Sequence, residues 1–162
     1  MVRTLFVDMD GTLTDSWRRI RGHSFEGIQL ESAYYPSNVL TDKPIDRAVD
    51  AINAFKLAGW QVVVLTARGF DVDGAITKEW LSLNKFPTCP VVIVNGAEDK
   101  IHHMITFGKD CDLFVDDFIG GYETGLPRFV TKTYEVCRKI IRTEPFRNNW
   151  PEIVIRYLNV EI

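Results

Sequence analysis

The chain contains short, nearly continuous apolar segments, separated by stretches in which apolar residues recur with helical spacing. The apolar segments are residues 2–7, 60–65, 91–94 and 113–115. Strands that are buried on both faces of a parallel sheet have this near-continuous apolar composition, because neither face meets water. The pattern therefore predicts four buried strands of one parallel sheet.

The segments between these strands predict helices. Apolar residues between positions 45 and 55 recur on one helical face, and Gly59 is placed to end that helix. The triplet Asp42-Lys43-Pro44 predicts the start of this helix, because proline is tolerated in the first turn of a helix. The remaining predicted helices cover residues 75–84, about 98–107, 134–141 and 150–158, and residues 129–130 are a candidate fifth strand.

Strands that alternate with helices form βαβ units, so the sequence predicts a three-layer, Rossmann-like α/β fold with a central parallel sheet. We expect residues 1–162 to form one domain, since they contain no linker, repeat or low-complexity tract. Residues 15–41 are polar and aromatic with weak periodicity, and we interpret them as a small insertion, called here the cap insertion.

Polar and charged residues follow the predicted strands at their carboxyl ends. These residues are Asp8 and Asp10 after the first strand, Thr66 after the second, Lys100 beyond the third, and Asp116 and Asp117 after the fourth. Right-handed crossovers place the carboxyl ends of parallel strands at one edge of the sheet, where ligands bind. We therefore expect these side chains to share one site.

Carboxylates gathered at one edge repel each other unless a cation binds between them. Oxygen-rich sites suit Mg²⁺, which also binds phosphate oxygens, and a carboxylate beside it can act as a nucleophile. Thr66 and Lys100 would stabilise the transferring phosphoryl group. A carboxylate two residues from the nucleophile can protonate the leaving oxygen and then activate water. These residue types suffice for two-step phosphoryl transfer to water.

The segments VDMDGTLTD, VVVLTAR, EDK and LFVDD resemble, in this order, the four motifs of the haloacid dehalogenase (HAD) superfamily of phosphohydrolases. The resemblance covers roughly residues 2–118 and implies a HAD-like fold and a Mg²⁺-dependent phosphatase that forms an aspartyl-phosphate. The implied catalytic residues are Asp8 as nucleophile, Asp10 as general acid and base, Thr66 and Lys100. The implied metal ligands are Asp8, the backbone carbonyl of Asp10, Asp116 and Asp117.

Two points about these roles stay open. The candidate substrate-binding residues are Thr66, Ala67, Arg68 and Lys100. Arg68 either contacts substrate or caps a helix, and Lys109 competes with Lys100 for the lysine role. With aspartate at position 10, the chain resembles the phosphatase branch of the superfamily, because the dehalogenases lack this second acid.

The arrangement from residue 42 to residue 117 is similar to the phosphatase domains of polynucleotide kinase-phosphatases. It also resembles small phage and bacterial HAD proteins that are deoxyribonucleotidase-like. This resemblance favours a nucleotide or a phosphorylated nucleic-acid end as substrate. The alternatives are a sugar-phosphate phosphatase and a non-catalytic module that accepts phosphate on aspartate. Aromatic residues of the cap insertion could stack on a base or pack on the core; they are Trp17, Phe25, Tyr34 and Tyr35.

Composition adds few constraints. The net charge of −3 gives no general basic field for long nucleic acid, although residues 18–21 include a short basic stretch. Three dispersed cysteines without a CxxC spacing indicate a reducing cytoplasm, and no segment has the apolar length of a membrane span. Residues 119–162 could extend the sheet, cover a face or form a homodimer contact.

Overall fold

The computed structural model describes residues 1–25, 28–29, 31–121 and 126–162. The strands are β1 (Thr4–Val7), β2 (Thr14–Asp15), β3 (Ser24–Phe25), β4 (Ile28–Gln29), β5 (Lys43–Pro44), β6 (Gln61–Thr66), β7 (Val91–Ile93), β8 (Leu113–Asp116), β9 (Ile119–Gly120), β10 (Arg128–Phe129) and β11 (Arg142–Pro145). The helices are α1 (Trp17–Gly22), α2 (Pro36–Val39), α3 (Ala48–Leu57), α4 (Ala75–Leu83), α5 (Ala97–Phe107), α6 (Thr131–Cys137) and α7 (Trp150–Leu158), with a 3-10 helix at Glu31–Tyr34. None of the helices in these ranges has the length and apolar character needed to cross a membrane.

Five strands form one parallel sheet in the order β11-β8-β1-β6-β7. Strand β1 lies at its centre, where Leu5 is paired with Val62 of β6 and Leu113 of β8. The four strands predicted from apolar runs are β1, β6, β7 and β8. Because all strands run in one direction, their carboxyl ends meet at one edge of the sheet.

Helices cover both faces of this sheet, which gives the predicted three layers. Leu5 and Val7 of β1 belong to a buried cluster with side chains of α3, α4 and α7. Phe6, which points to the opposite face, belongs to a second cluster with side chains of α5 and α6. Successive residues of a strand face opposite sides, so a strand that is covered on both faces is apolar along most of its length.

The prediction of a fifth sheet strand at residues 129–130 is wrong. Arg128–Phe129 pair antiparallel with Ile119–Gly120 in a separate two-stranded unit. The fifth strand of the sheet is β11, whose polar sequence is RTEP and which pairs with β8. A strand at the edge of a sheet can keep polar, partly exposed side chains, so it shows no apolar run. The helix predicted at 134–141 lies earlier, at Thr131–Cys137, because the chain must turn into β11.

The helix predicted to start at Asp42-Lys43-Pro44 starts instead at Ala48. Lys43–Pro44 form β5, which pairs antiparallel with Thr14–Asp15 just after the first strand of the sheet. Proline is acceptable there, because a two-stranded ribbon leaves one side of each strand without ladder bonds. The predicted helix end is confirmed, since α3 stops at Leu57 and Gly59 has a φ of 89°.

The chain beyond Asp117 extends the sheet through β11 and covers one face through α7. The Asn149 side chain accepts a hydrogen bond of 3.2 Å from the Glu152 backbone and so caps α7. Trp150 is fully buried, and its Nε1 donates a hydrogen bond of 2.9 Å to the carbonyl of Thr12. The last helix therefore supports the loop that follows β1.

Trp150→Phe is expected to destabilise the protein by about 2 kcal/mol, because it leaves the buried Thr12 carbonyl without its donor and opens a small cavity. Urea unfolding measures this loss. The matched control is Ile155→Ala on the same helix, whose side chain is 47% exposed. That control should change stability by less than about 0.5 kcal/mol, and equal losses in the two variants would contradict the assignment.

Candidate active site

Three buried carboxylates meet at the carboxyl edge of the sheet. Val7 of β1 is paired with Val115 of β8, so the next residues, Asp8 and Asp116, lie side by side. Together with Asp117, each offers an oxygen within 4.8 Å of the others. Backbone amides fix two of the carboxylates, because Phe118 donates to Asp116 at 2.6 Å and Ile119 donates to Asp117 at 3.0 Å. We call these three side chains the acid cluster.

Lys100 is the cation of the acid cluster. Its Nζ lies 3.1 Å from Asp8 Oδ1 and 2.6 Å from Asp116 Oδ2, and its side chain is buried. Helix α5 carries it there from the end of β7. Lys109 is exposed instead, and its backbone N–H donates to Asp112. The structure therefore places Lys100, and not Lys109, beside the predicted nucleophile.

The acid cluster carries more negative charge than Lys100 can balance. Burial raises the pKa of Asp8 well above its ordinary value, and the charge of Asp116 raises it further, whereas Lys100 lowers it. Burial lowers the pKa of Lys100, but Asp116 and Asp8 outweigh that effect and raise it above its ordinary value. Three buried carboxylates with one ammonium are the donor set expected for a divalent cation with oxygen ligands. The residues fit Mg²⁺.

Thr66 is the last residue of β6 and lies beside this cluster. The side chain is buried, and Oγ1 has no hydrogen-bond partner within the described part of the chain. Thr66 and Asp8 both line one cavity of about 530 Å³. A buried hydroxyl without a partner is costly, so we expect a ligand oxygen to bind there.

The Asp10 side chain lies apart from the acid cluster, between two arginines. Arg68 forms a two-point contact with it, with Nε 2.9 Å from Oδ2 and Nη2 2.8 Å from Oδ1, and Arg19 Nη2 lies 3.7 Å from Oδ1. Burial alone would raise the pKa of Asp10, but Arg68 and Arg19 lower it to about 2. In this state Asp10 is charged and has a low affinity for a proton, so taking up a proton and donating it both require the arginine contacts to weaken.

Arg68, for which the sequence predicts either substrate contact or helix capping, lies in the loop after β6. It binds Asp10 and the hydroxyl of Thr77 (3.3 Å), and it lines the cavity. Its hydrogen bonds are therefore to a predicted catalytic carboxylate and to a helix residue, and its guanidinium also lies 5.8 Å from the centroid of the Phe70 ring. Ala67, beside it, is exposed and also lines the cavity.

Arg19, part of the short basic stretch at residues 18–21, has a role in the site that its sequence context does not indicate. Arg19 is buried, with Nε 2.9 Å from Asp42 Oδ1, and its guanidinium also donates to the carbonyl of Ala33. It therefore ties the cap insertion to Asp10. No spacing rule identifies a buried arginine within a polar stretch, so this contact could not be predicted from the sequence.

Asp10 is expected to stabilise the folded protein above about pH 4 and to lose that contribution as the pH falls. Its pKa is about 2 in the folded protein against an ordinary 3.8, so the unfolded chain takes up the proton first. The contribution is present above the unfolded pKa and disappears as the pH falls through the folded one. A shift of this size corresponds to about 2 kcal/mol.

Urea unfolding at pH values from about 5 down to about 2 tests this expectation. Over this pH range, the free energy of unfolding should fall by about 2 kcal/mol more in the wild-type protein than in Asp10→Asn. Asp46→Asn removes an exposed acid and should keep the wild-type slope. Parallel slopes in wild type and Asp10→Asn would contradict the assigned pKa.

Aromatic rings form one wall of the cavity. Tyr34 of the 3-10 helix and Phe70 of the loop after β6 lie with ring centroids 4.9 Å apart, and both line the cavity. Of the other aromatic candidates, Trp17 and Tyr35 do not line it, and the side chain of Phe25 lies outside the described part of the chain.

No protein-family model matches the sequence, and no curated protein matches it. Solved structures do match the fold. A hydrolase from Streptococcus pneumoniae TIGR4 has 12% identity and a TM-score of 0.57, with 98% of this chain and 99% of that chain covered. A haloacid dehalogenase-like family hydrolase from Streptococcus pneumoniae has 12% identity and a TM-score of 0.59, with 96% and 98% covered.

A third solved structure, the D,D-heptose 1,7-bisphosphate phosphatase from Burkholderia thailandensis, has 14% identity and a TM-score of 0.50, with 98% and 99% of the two chains covered. At these identities the likeness concerns the fold. It extends over nearly the whole length of each chain, the segment beyond Asp117 included. The chain therefore has the three-layer, Rossmann-like α/β fold of haloacid dehalogenase-like hydrolases.

Proposed function

We propose that the protein is a Mg²⁺-dependent phosphomonoester hydrolase that forms an aspartyl-phosphate on Asp8. The observation that carries this proposal is the acid cluster, whose carboxylate oxygens lie within 4.8 Å of one another and two of whose members contact Lys100. The Thr66 hydroxyl, which has no hydrogen-bond partner among the described residues, lies in the same cavity. Each of these groups has a use in phosphoryl transfer, and the like charges are otherwise unfavourable.

The carboxylates of Asp8, Asp116 and Asp117, with the backbone carbonyl of Asp10, would hold the cation. When bound, Mg²⁺ supplies positive charge that neutralises the phosphoryl oxygens and lets a carboxylate approach them. Lys100 adds a fixed positive charge in a buried setting, where it acts more strongly than in water. The Thr66 hydroxyl donates a hydrogen bond to a phosphoryl oxygen.

In the first step, a carboxylate oxygen of Asp8 forms a bond to phosphorus while the bond to the leaving oxygen breaks. Asp10 gives that oxygen a proton, which it must first take up, because its pKa is about 2 in the contact with Arg68. In the second step, Asp10 accepts a proton from water, the water oxygen bonds to phosphorus, and the bond to Asp8 breaks. The products are an alcohol and inorganic phosphate, and Asp10 regains its proton.

A nucleotide or a phosphorylated nucleic-acid end is the substrate that we propose. The cavity of about 530 Å³ exceeds what a phosphate group alone fills, and the Tyr34–Phe70 wall offers rings for a base. A sugar phosphate is the second candidate, since one solved structure of this fold is a heptose bisphosphate phosphatase. A module that only accepts phosphate is less well supported, because it has no use for Asp10 beside the leaving group.

A substrate panel with Mg²⁺ tests the proposal. We expect turnover of p-nitrophenyl phosphate that stops on adding EDTA and returns with excess Mg²⁺. Mononucleotides and oligonucleotides with 3′- or 5′-phosphates should have higher kcat/KM than sugar phosphates. Equal rates on sugar phosphates would contradict the nucleotide preference alone, whereas full activity in EDTA would contradict the metal-dependent chemistry.

A further inference from the structure

The active-site cavity continues into a second cavity at the surface. The outer cavity has a volume of about 640 Å³ and lies between the start of α5 and the segment from β10 into α6. The two cavities share six lining residues: Asn95, Gly96, Ala97, Arg128, Val130 and Thr133. They therefore form one groove, which leads from Asp8 past Arg128 to solvent. A substrate's leaving group can lie along this groove.

Arg128 differs from the other cations of the inner cavity. Arg19 is paired with Asp42, Arg68 with Asp10, and Lys100 with Asp8 and Asp116. No carboxylate lies within ion-pair distance of Arg128 in the described ranges, and its side chain is exposed. Its positive charge is therefore free for an anion that enters the groove.

The backbone that carries Arg128 is fixed. Arg128 is paired with Gly120 across the β9–β10 ribbon, and the next residues are held by a 2.7 Å hydrogen bond from the Val130 amide to the Phe118 carbonyl. Phe118 follows the acid cluster directly, so the position of Arg128 is coupled to that of the metal-binding acids. A guanidinium on a fixed backbone loses less freedom on binding an anion.

The charges of the outer cavity limit how far an anionic ligand can extend. Glu98, Asp99 and Lys132 line the outer cavity only, whereas Arg128 lines both cavities. An anionic group next to the scissile phosphate meets Arg128 first. Further anionic groups meet two carboxylates and one lysine, which offer no net attraction.

We propose that Arg128 binds a second phosphate of the substrate, so that the preferred substrate is a phosphomonoester that carries one further phosphate close by. This inference rests on the proposed function and deepens it, because it names the residue that selects the substrate class. The planar guanidinium can donate two parallel hydrogen bonds to phosphate oxygens. The second phosphate can be a phosphomonoester, as in a nucleoside or hexose bisphosphate, or the phosphodiester of a dinucleotide.

Steady-state kinetics with matched substrate pairs tests the proposal. A nucleoside 3′,5′-bisphosphate, a hexose bisphosphate and a dinucleotide with a terminal phosphate are compared with their monophosphate counterparts. In at least one pair, the substrate with the second phosphate should have a KM roughly tenfold lower than its monophosphate counterpart. The pair that shows this difference identifies the class of substrate that carries the second phosphate. A trinucleotide should gain less than about twofold over the dinucleotide, because of the carboxylates further out.

In Arg128→Ala the KM advantage of the second phosphate should disappear, while kcat/KM for p-nitrophenyl phosphate stays within about twofold of wild type. Arg128→Lys should retain part of the advantage, and Lys139→Ala, which removes an exposed lysine outside the groove, should retain all of it. Equal KM values for single and double phosphates in the wild type would overturn the proposal. The proposal would also be overturned if Arg128→Ala lowered kcat/KM for p-nitrophenyl phosphate as much as it lowered kcat/KM for the substrate with two phosphates.

Calorimetry on Asp8→Asn separates this inference from the proposed function, because binding is then measured without turnover. With Mg²⁺ present, the bisphosphate of the preferred pair should bind about tenfold more tightly than the monophosphate, and Arg128→Ala in the same background should remove the difference. If this holds while the wild-type protein hydrolyses nothing, the proposed function fails and the second-phosphate site stands. If both ligands bind equally, the second-phosphate site fails whatever the activity.

Discussion

Asp8→Asn is expected to abolish phosphomonoester turnover and to leave the protein folded. The amide cannot form the acyl-phosphate, so kcat should fall by roughly 10⁴-fold or more. The substitution changes neither side-chain size nor the pairing of Lys100 with Asp116, which lie 2.6 Å apart. It also removes a charge from a crowded cluster in which the pKa of Asp8 is raised, so the metal-free protein should not melt at a lower temperature.

The measurement combines kcat on p-nitrophenyl phosphate with thermal unfolding in EDTA. Asp110→Asn is the matched control, since Asp110 is an exposed acid of the same type outside the site. It should change kcat by less than about twofold. Activity of Asp8→Asn within tenfold of wild type would exclude Asp8 as the nucleophile, and an unfolded variant would show that Asp8 has a structural role.

Lys100→Met is expected to destabilise the metal-free protein by about 3 kcal/mol, because removing one partner leaves buried charges without compensation. The charges left behind belong to Asp8 and Asp116, which lie 3.1 Å and 2.6 Å from the ammonium. Mg²⁺ should recover a large part of the loss, since the cation takes over the role of the counter-charge. Activity should remain low even with Mg²⁺, because the metal does not replace the Lys100 ammonium that would contact the phosphoryl oxygens.

Urea unfolding of Lys100→Met with EDTA and with Mg²⁺ checks this pair of results. Lys109→Met provides the control, as the same change at an exposed lysine, and it should shift stability by less than about 0.5 kcal/mol in either condition. A loss in Lys100→Met that Mg²⁺ leaves unchanged would argue against a cation beside Asp8 and Asp116.

The buried half of the fold could be predicted from the sequence, and the exposed half could not. Strands β1, β6, β7 and β8 are continuous apolar segments because the sheet is covered on both faces. Strand β11 has the polar sequence RTEP, and its place at the sheet edge depends on pairing with a distant strand rather than on its own composition. In the same way, the pairing of Lys43–Pro44 with Thr14–Asp15 overrides a local sequence that favours a helix start.

The site shows the same division. Four site residues could be grouped because each lies at or beyond the carboxyl end of a strand, and the carboxyl ends of parallel strands share an edge: Asp8, Thr66, Lys100 and Asp116. Arg19 and Arg128 lie on the cap insertion and on the β9–β10 ribbon, whose positions relative to the sheet no periodicity indicates. Their contacts become visible only in three dimensions, because they depend on how the insertion and the ribbon fold over the sheet.

The central place of β1 has a consequence for how the molecule assembles. Its neighbours β6 and β8 come much later in the chain, and such non-local parallel pairing forms slowly, on the order of milliseconds to seconds. Asp8 meets Asp116 only when the last inner strand has docked, so a half-assembled intermediate lacks the complete set of carboxylates for the proposed Mg²⁺ site. Titration with a divalent cation would then count the correctly assembled fraction of a preparation, which bulk helix content does not distinguish.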